Sequence, residues 1–289
     1  MPDAIDTGLY LLTQTHVGTG QAAGAIDLPI ARERHTGHPF IPSTAIKGVL
    51  RDAFERHDVE KTRKLFGPSP PKKGQAEEAL FAGTLVLTDA HLLAFPLRSL
   101  SAPFYWATCP LAVARWRRLR RAWSLTTPDD GVDAVSATFT TPTAVVLEDH
   151  LFTPDRARAQ GLQSIAKAWE KLLPPDPLAR RMTDNLVCIP DREFSHLVQT
   201  CTSVHARVQL TPGKTTDTWR SEDGEEKKGN LWYEETLPSD CLFSFLMTSR
   251  NGDAHNAAAG LLRAHPRHQV GGNETIGHGV TLWTPEEGA

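Results

Sequence analysis

The sequence predicts an α+β fold, and three features of the chain support this class. Short apolar stretches with the length of buried strands occur at Leu85–Leu87 and in CLFSFLM, residues 241–247. Stretches with the 3.6-residue period of amphipathic helices separate them. The resulting order of strand, helix and strand is typical of a sheet covered by helices. A chain of 289 residues lies near the size where one domain with insertions competes with two.

The first strand is expected from Gly8 to Thr15. A loop rich in Gly and Ala follows it, carries one carboxylate, Asp27, and can lie close to a ligand because its backbone is permissive. A helix is then predicted from Ser43, placed as its N-cap, to about His57.

Lys47 and Arg51 lie one turn apart on the face of this helix that is opposite its apolar residues. The positive end of a helix dipole disfavours a cation such as Lys47, and a phosphate bound at the helix N-terminus would resolve that conflict. The alternative is an ordinary solvated face.

The middle of the chain is less regular. The segment PSPPKKG, residues 68–74, predicts a surface loop, and Pro96 prevents residues 89–98 from forming one long helix. A second helix after Pro110 carries Trp116, Leu119 and Trp123 on one face. Arginines cover the remainder, namely Arg115, Arg117, Arg118 and Arg121. These arginines could contact RNA phosphates or an acidic partner, or form a solvated face.

Residues of about 98–192 are interpreted as an insertion in a single domain, with one helix over Arg156–Leu173. Further along, Val204, Ala206 and Val208 alternate with polar residues at the period of a half-buried strand. About twenty polar residues, 211–230, separate this strand from LWYEETL, which is longer than most connections in compact domains. A long hairpin over about 202–240 is therefore predicted, either as a surface loop or as an arm that contacts another molecule.

The last part of the chain predicts a helix from Asp253 to about Ala264 and a glycine-rich loop before a final strand. The loop contains Gly271, Gly272, Gly277 and Gly279, but has neither the GK[ST] of a Walker loop nor GxGxxG spacing. Its backbone N–H groups could bind a phosphate backbone, or the loop could be simply a tight turn.

Composition excludes several classes of protein. The net charge of −3 argues against a tail-driven nucleic-acid binder, and four widely spaced cysteines argue against a disulfide framework. The N-terminus does not have the pattern of a signal peptide and no apolar run could span a bilayer, so a cytoplasmic protein without a membrane partner is expected. The pairs His35/His38 and His265/His268 lack the partners of a zinc site and are interpreted as solvated loop histidines.

Several blocks together resemble the RAMP superfamily. They are THVGTG, GAIDLPIARERHTGHPFIPSTAIKGVLRD, LTDAHLLAFPLRSL, FYWATCP, NLWYEETLPSD and VGGNETIGHG, which lie in order between residues 9 and 283. Within that superfamily the pattern is similar to the repeated backbone subunit of the Cmr complex, a type III-B CRISPR effector.

The resemblance implies a ferredoxin-like core of the RNA-recognition type, with a β-hairpin thumb and helical insertions. It implies binding to a CRISPR guide RNA and a complementary target RNA, to further copies of the chain in a helical filament, and to other Cmr subunits. Ser43, Lys47 and Arg51, with the four glycines of the C-terminal loop, correspond to elements that grip the guide.

The resemblance further implies cleavage of the target RNA, once per copy, with a divalent metal such as Mg²⁺ or Mn²⁺. The required aspartate matches Asp27, which could hold the metal or act as a base. His16 could position or protonate a reacting group, and Glu234 or Glu235 could complete the metal shell. Otherwise His16 bonds backbone at a strand end and the glutamates are solvated thumb residues.

Two alternatives to this endoribonuclease stay open. One is a scaffold subunit that binds RNA in the same kind of filament without cutting it. The other is a guide-processing nuclease of the same superfamily acting alone, against which the specific blocks and the long hairpin argue. The aspartate in the glycine-rich loop favours target cleavage.

Overall fold

A computed structural model describes residues 4–22, 24–68, 81–128, 136–137, 144–155, 159–177, 181–216, 218–220, 222–227 and 230–287. These residues form a mixed α and β fold, as predicted, built on one sheet of ten strands. The predicted loop at residues 68–74 lies, apart from its first residue, outside the described ranges.

The helices are α1 (Ser43–Glu55), α2 (Val59–Phe66), α3 (Pro110–Ala122), α4 (Ala159–Glu170), α5 (Met182–Asn185), α6 (Asp191–Thr200) and α7 (Ala254–Ala264), with a 3₁₀ turn at Glu274–Ile276. The strands of the first half are β1 (Ala4–Leu11), β2 (Phe40–Ile41), β3 (Leu85–Leu87), β4 (Ala90–Arg98), β5 (Phe104–Thr108), β6 (Ser136–Ala137), β7 (Val145–Leu147) and β8 (His150–Phe152). Those of the second half are β9 (Leu186–Cys188), β10 (Ser203–Val208), β11 (Trp219–Arg220), β12 (Glu226–Lys227), β13 (Leu231–Thr236), β14 (Leu242–Ser249), β15 (Arg267–Gln269) and β16 (Val280–Pro285).

The large sheet has the order β15-β16-β1-β14-β4-β5-β9-β6, with β2 and β3 attached to β4 and β14. At its centre, β16, β1, β14 and β4 pair antiparallel. Along the chain these strands and the helices α1 and α7 follow the order β-α-β-β-α-β, the order of a ferredoxin-like motif. That order supports the predicted ferredoxin-like core, which stays a prediction at this level of detail.

The central strand β1 is buried on both faces, so the molecule has three layers. On one face Leu9 packs in a core with Ile46 and Leu50 of α1. On the other face Tyr10 packs in a second core with Trp169 of α4. Successive side chains of a strand point to opposite faces, which explains how one strand serves both cores.

Burial of β1 on both faces places Asp6 in the interior, where a charge must be paired. The guanidinium of Arg120 donates to Asp6 Oδ2 and to Glu286 Oε2, both at 2.7 Å. Trp116 Nε1 also donates to Asp6, at 2.9 Å. Burial raises the pKa of the Asp6 carboxyl, and the charge of Arg120 opposes that rise.

The arginine-rich helix is therefore anchored rather than freely solvated along its length. Besides Arg120, its Arg115 makes a two-pronged contact with Glu33 at 2.6 and 2.7 Å. Burial alone would raise the pKa of Glu33, but hydrogen bonds from His91 and Arg115 hold it well below its usual range. Arg118 is exposed, so contact with an outside partner stays open for that part of α3.

The segment of residues 98–192 adds β5, β9 and β6 to the main sheet. Pro96 lies within strand β4, paired with Trp106 of β5. The strand tolerates this proline because its pairing with β14 on the other side ends at Ala94, so no ladder donor is lost there. The helix predicted over Arg156–Leu173 is observed as α4, with residues 156–158 outside the described ranges.

Three local predictions are wrong. Pro42 is the N-cap of α1, Ser43 is its first residue, and no side chain of the cap residue makes a capping bond. His38 and His268 are buried rather than solvated: His38 bonds Ser195 Oγ at 2.9 Å and His268 packs on Trp283. Their ring nitrogens avoid charge in these apolar surroundings.

The third wrong prediction is which face of the hairpin is buried, because the alternation of its strand favoured a buried apolar face. Strands β10 and β13 pair with each other in a separate two-stranded sheet, here called the ribbon. Its apolar face is the exposed one, because Val204, Val208, Leu231 and Tyr233 are 41–55% exposed. The polar face, with His205 and Arg207, turns toward the body of the protein. Within the described part of the chain, every helix is too short or too polar to cross a membrane.

Candidate functional site

The glycine-rich loop after β1 is bonded along the free edge of β13. Thr15 and Leu237 exchange two backbone hydrogen bonds, at 3.0 and 2.9 Å. Leu28 donates to the carbonyl of Tyr233 and accepts from the N–H of Glu235, each at 3.0 Å. The loop thus joins the base of the ribbon to the main sheet, and it carries its side chains to that junction.

Asp27 is held against the ribbon by its carboxylate. The Oδ2 atom accepts the backbone N–H of Tyr233 at 2.8 Å, and this is the one hydrogen bond of the carboxylate to the described residues. The backbone carbonyl of Asp27 accepts the N–H of Ala22 at 2.9 Å, which closes the loop on itself. The carboxylate is therefore fixed in place while part of it faces solvent.

His16 lies beneath the same strand and is 9% exposed. Its Nδ1 atom is 2.7 Å from the backbone carbonyl of Glu235. A carbonyl oxygen only accepts, so Nδ1 carries the proton and Nε2 of the neutral ring is left as an acceptor. His16 does bond backbone, as one interpretation of the sequence expected, and the same bond fixes the orientation of its ring.

Two glycines make room for His16. A Cβ atom on Gly18 would lie 2.4 Å from the Nε2 atom of His16. A Cβ on Gly271, whose φ is +83°, would lie 2.1 Å from the carbonyl oxygen of His16. The two glycine-rich segments of the sequence therefore meet around one imidazole.

Glu234 and Glu235 are buried, not solvated, and they point to opposite faces of β13, as successive strand residues do. Glu235 accepts from Ile30 N–H at 3.0 Å, Arg32 Nη2 at 2.5 Å and Thr202 Oγ1 at 2.7 Å. It thereby fastens the loop to the ribbon.

Glu234 lies on the ribbon's inward face. Its Oε1 accepts from Asn273 Nδ2 at 2.6 Å, and its Oε2 accepts from Arg207 Nε at 3.0 Å. Both carboxylate oxygens of Glu234 are thus occupied by donors, one from the ribbon and one from the C-terminal glycine-rich loop.

These contacts decide how a divalent metal would fit. Among the described residues there is no group of three or more His, Cys, Asp or Glu side chains placed to hold an ion. Glu234 and Glu235 are paired with arginines, whereas one carboxylate oxygen of Asp27 has no donor among the described residues. The residues fit an ion held by Asp27 and by phosphate oxygens of a substrate, the usual mode for Mg²⁺, but not a cage built by the protein alone.

Four residues at this junction were missed in the sequence: His205, Arg207, Asn273 and His278. The alternation in VHARV places His205 and Arg207 on one face of a strand, which is a usable signal. His205 pairs with Glu234 across the ribbon, so this face of the strand lies at the site. Asn273 and His278 lie in the loop of residues 270–279, and no sequence pattern indicates that they belong to the site.

The residues predicted to grip the guide lie in two places. Ser43 and Lys47 line a cleft of about 500 Å³ that also includes Arg250, another residue missed in the sequence. The backbone N–H of Ser43 donates to Asp89 Oδ1 at 2.7 Å, so the protein's own carboxylate already lies at this helix start. Arg51 pairs with Glu55 at 3.0 Å one turn along α1.

In the C-terminal loop, most glycine N–H groups are used within the protein. Those of Gly272, Gly277 and Gly279 donate to His16, Glu274 and Gln14, at 2.8–2.9 Å. The expectation that these groups are free for phosphate is therefore wrong for three of the four glycines. The loop shapes the site by its close approach to His16.

Fold and site together define an α+β protein in which a two-stranded ribbon and two glycine-rich segments enclose a half-buried aspartate, an oriented histidine and an arginine. The model of the RAMP superfamily matches residues 9–281. The chain belongs to the RAMP superfamily.

Named relatives are similar over nearly the full length. A Pyrococcus furiosus protein named CRISPR system Cmr endoribonuclease Cmr4 is 35% identical over 97% of this chain and 95% of its own. The crystal structure of oligomeric Cmr4 from the same organism covers all of both chains, with a TM-score of 0.76 and 29% identity. A cryo-EM structure of the type III-B Cmr-β complex bound to cognate target RNA contains a chain with the same fold, at a TM-score of 0.74, 17% identity and coverage of 98% of this chain and 96% of its own.

Proposed function

We propose that this chain is the guide-RNA-binding backbone subunit of a type III-B CRISPR effector, and that each copy cuts a complementary target RNA once. The observation that carries the proposal is the position of Asp27, fixed at the base of the ribbon in a chain 35% identical to a Cmr endoribonuclease. In this proposal it works in the cytoplasm with further copies of itself, arranged as a helical filament, and with other Cmr subunits.

The chemistry proposed is attack by a 2′-hydroxyl of the target on its adjacent phosphate. The 2′ oxygen forms a bond to phosphorus, the bond to the 5′ oxygen breaks, and the products are a 2′,3′-cyclic phosphate and a 5′-hydroxyl. One proton leaves the 2′ oxygen and one is gained by the 5′ oxygen. The protein must hold the attacking oxygen in line and assist these proton transfers.

His16 is suited to move one of the protons, because its Nδ1–H is committed to the carbonyl of Glu235 and Nε2 remains for the substrate. Asp27 can accept a proton or hold Mg²⁺ or Mn²⁺ beside the phosphate. When bound, that ion neutralises charge on the phosphate oxygens as a Lewis acid. Glu234 and Glu235 are assigned here to hold Arg207 and Arg32, and thereby the shape of the site.

RNA grip is assigned to the predicted set of Ser43, Lys47 and Arg51, whereas the loop of residues 271–279 is assigned to holding His16 in place. Lys47 is exposed at the cleft it shares with Arg250, so both cations can reach phosphates. The exposed apolar face of the ribbon, with Tyr233, can contact bases, since aromatic and aliphatic side chains stack on or pack against them.

The test is cleavage of a guide-complementary RNA by the reconstituted complex, with Mg²⁺ and with EDTA. We expect products at regular spacing that carry cyclic phosphate ends and that are lost with EDTA. Tight target binding without cleavage in Mg²⁺ or Mn²⁺ would instead support the scaffold alternative.

A further inference from the structure

Strand β10 carries a cation, Arg207, that has no role in the cleavage step described above. Arg207 is anchored through Nε to Glu234 Oε2 at 3.0 Å, and its side chain is 29% exposed. Its two Nη atoms make no hydrogen bond to the residues that the structure describes. An arginine held at Nε keeps four N–H donors in a fixed plane, the arrangement that binds phosphate in two-pronged fashion.

The anchor of Arg207 is itself rigid. Glu234 is 4% exposed, and its second oxygen is held by Asn273 at 2.6 Å. Asn273 occupies the left-handed region with φ 65°, at the turn where the C-terminal loop passes His16. The same loop bonds His16, because Gly272 N–H donates to the His16 carbonyl at 2.9 Å. Arg207 and His16 are thus fixed relative to each other through one hydrogen-bonded network.

Two buried ring nitrogens beside this network lack a hydrogen-bond partner among the described residues. They are Nε2 of His205, on the same face of β10 as Arg207, and Nδ1 of His278. Burial lowers the pKa of His278, and the nearby charge of Arg207 lowers it further. Buried polar atoms normally have a hydrogen-bond partner, so two orphans here indicate that a ligand or ordered water completes this side of the site.

We propose that Arg207 binds the scissile phosphate of the target RNA, and that Glu234 and Asn273 are positioning residues that present its guanidinium next to His16. This inference rests on the proposed function. It replaces the role of Glu234 as a metal ligand with that of an arginine anchor. Charge on the phosphate grows during attack, so a pre-positioned guanidinium stabilises the transition state more than the ground state.

The experiment measures single-turnover cleavage and target binding by the reconstituted complex carrying Arg207→Gln, Arg207→Lys or Arg207→Ala. For Arg207→Gln we expect cleavage to fall by about 100-fold or more, as for other lost transition-state donors. Binding of a target with 2′-deoxy nucleotides at the cut positions should change by less than about threefold, since one contact among many is lost. Arg207→Lys should retain part of the rate, and guanidinium salt should restore part of the Arg207→Ala rate.

Arg98→Gln is the matched control, because Arg98 also bonds a glutamate through Nε but lies 78% exposed on β4. It should cut at the wild-type rate. A second readout is the Mg²⁺ dependence of Glu234→Gln, whose rate should fall without a shift in the Mg²⁺ midpoint. A shift to higher Mg²⁺ would mean that Glu234 is a metal ligand and would overturn the anchor role.

The outcomes separate this inference from the proposed function. Wild-type cleavage by Arg207→Gln in a complex that Asp27→Ala inactivates would refute the role of Arg207 and leave the endoribonuclease intact. Equal losses of binding and cleavage would also refute it, because Arg207 would then be a general RNA contact. No cleavage by the wild-type complex would refute the proposed function itself.

Discussion

At the scale of single residues, the site depends on what surrounds His16. The imidazole bonds the Glu235 carbonyl, Gly18 lies against its Nε2 atom, and Gly271 lies against the backbone carbonyl of His16. A side chain at Gly18 must therefore displace the His16 ring, and one at Gly271 must displace the His16 backbone. Small residues in the two loops thus fix the position of one histidine at the candidate site.

Gly18→Ala should move the His16 ring, since its Cβ would lie 2.4 Å from Nε2. We expect cleavage by the assembled complex to fall by about tenfold or more. The free energy of unfolding should fall by less than about 1 kcal/mol, because a side chain rather than backbone gives way. The single-turnover cleavage rate of the variant measures the first effect, and its unfolding in denaturant measures the second.

Gly260→Ala is the control for that substitution, because a Cβ there meets nothing within 4 Å on helix α7. It should cut normally and gain up to about 1 kcal/mol in stability, the helix propensity of Ala over Gly. Full activity in Gly18→Ala would show that the position of the His16 ring is unimportant.

Two other histidines make stability depend on pH. Burial lowers the pKa of His38 and of His268 from 6.5 to about 4. The unfolded chain therefore binds more protons than the folded one between these values, so stability is complete above about pH 6.5 and is lost as the pH falls toward 4. The thermal midpoint should drop steadily from pH 7 to pH 4.5, and the His38→Gln/His268→Gln variant should show a shallower drop. An equal slope in both proteins would contradict the assignment.

At the scale of elements, helix α3 is attached to the sheet by charge as well as by packing. Arg120 joins α3 to Asp6 of β1 and to Glu286 after β16, and all three groups are buried. Arg115 joins the same helix to Glu33 in the segment before β2. Two arginines of this basic helix therefore pair with acidic side chains of the protein itself.

Arg120→Leu should destabilise the protein by about 3–5 kcal/mol, because it leaves Asp6 and Glu286 buried without their cation. Urea unfolding of the variant measures this loss. Arg56→Gln is the matched control, since Arg56 pairs with Asp52 on the surface of α1 and is 73% exposed. Its cost should stay within about 0.5 kcal/mol. A small loss for Arg120→Leu would mean that the buried acids are protonated or hydrated.

At the scale of the whole molecule, the sequence predicts where helices and strands lie along the chain better than it predicts which of them pack together. The helices near Ser43, Pro110 and Ala254 are found close to the expected positions because their 3.6-residue period is strong. The parallel pairing of β5 with β9 has no local signal, since it joins residues about eighty apart. The exposed face of the ribbon was inverted for a related reason: periodicity gives two faces, and only tertiary contacts decide which one is buried.

The site shows the same division. His16, Asp27 and the glutamate pair were found through the resemblance, and the structure brings all four to the junction of loop and ribbon. The bonds of Glu234 to Arg207 and Asn273 could not be predicted, because they depend on long-range pairing and on a left-handed turn. The sequence therefore predicts which residues lie at the candidate site, and the fold shows what holds them.

The most direct test of Asp27 as the carboxylate required for cleavage is single-turnover target cleavage by complexes assembled with wild-type chain or with Asp27→Asn. The substitution keeps the size of the side chain and an oxygen for the Tyr233 N–H but removes the charge. We predict that the complex with Asp27→Asn binds target with wild-type affinity and produces no regularly spaced cuts. Cleavage at the wild-type rate by Asp27→Asn would contradict the assignment of this junction as the cleavage site.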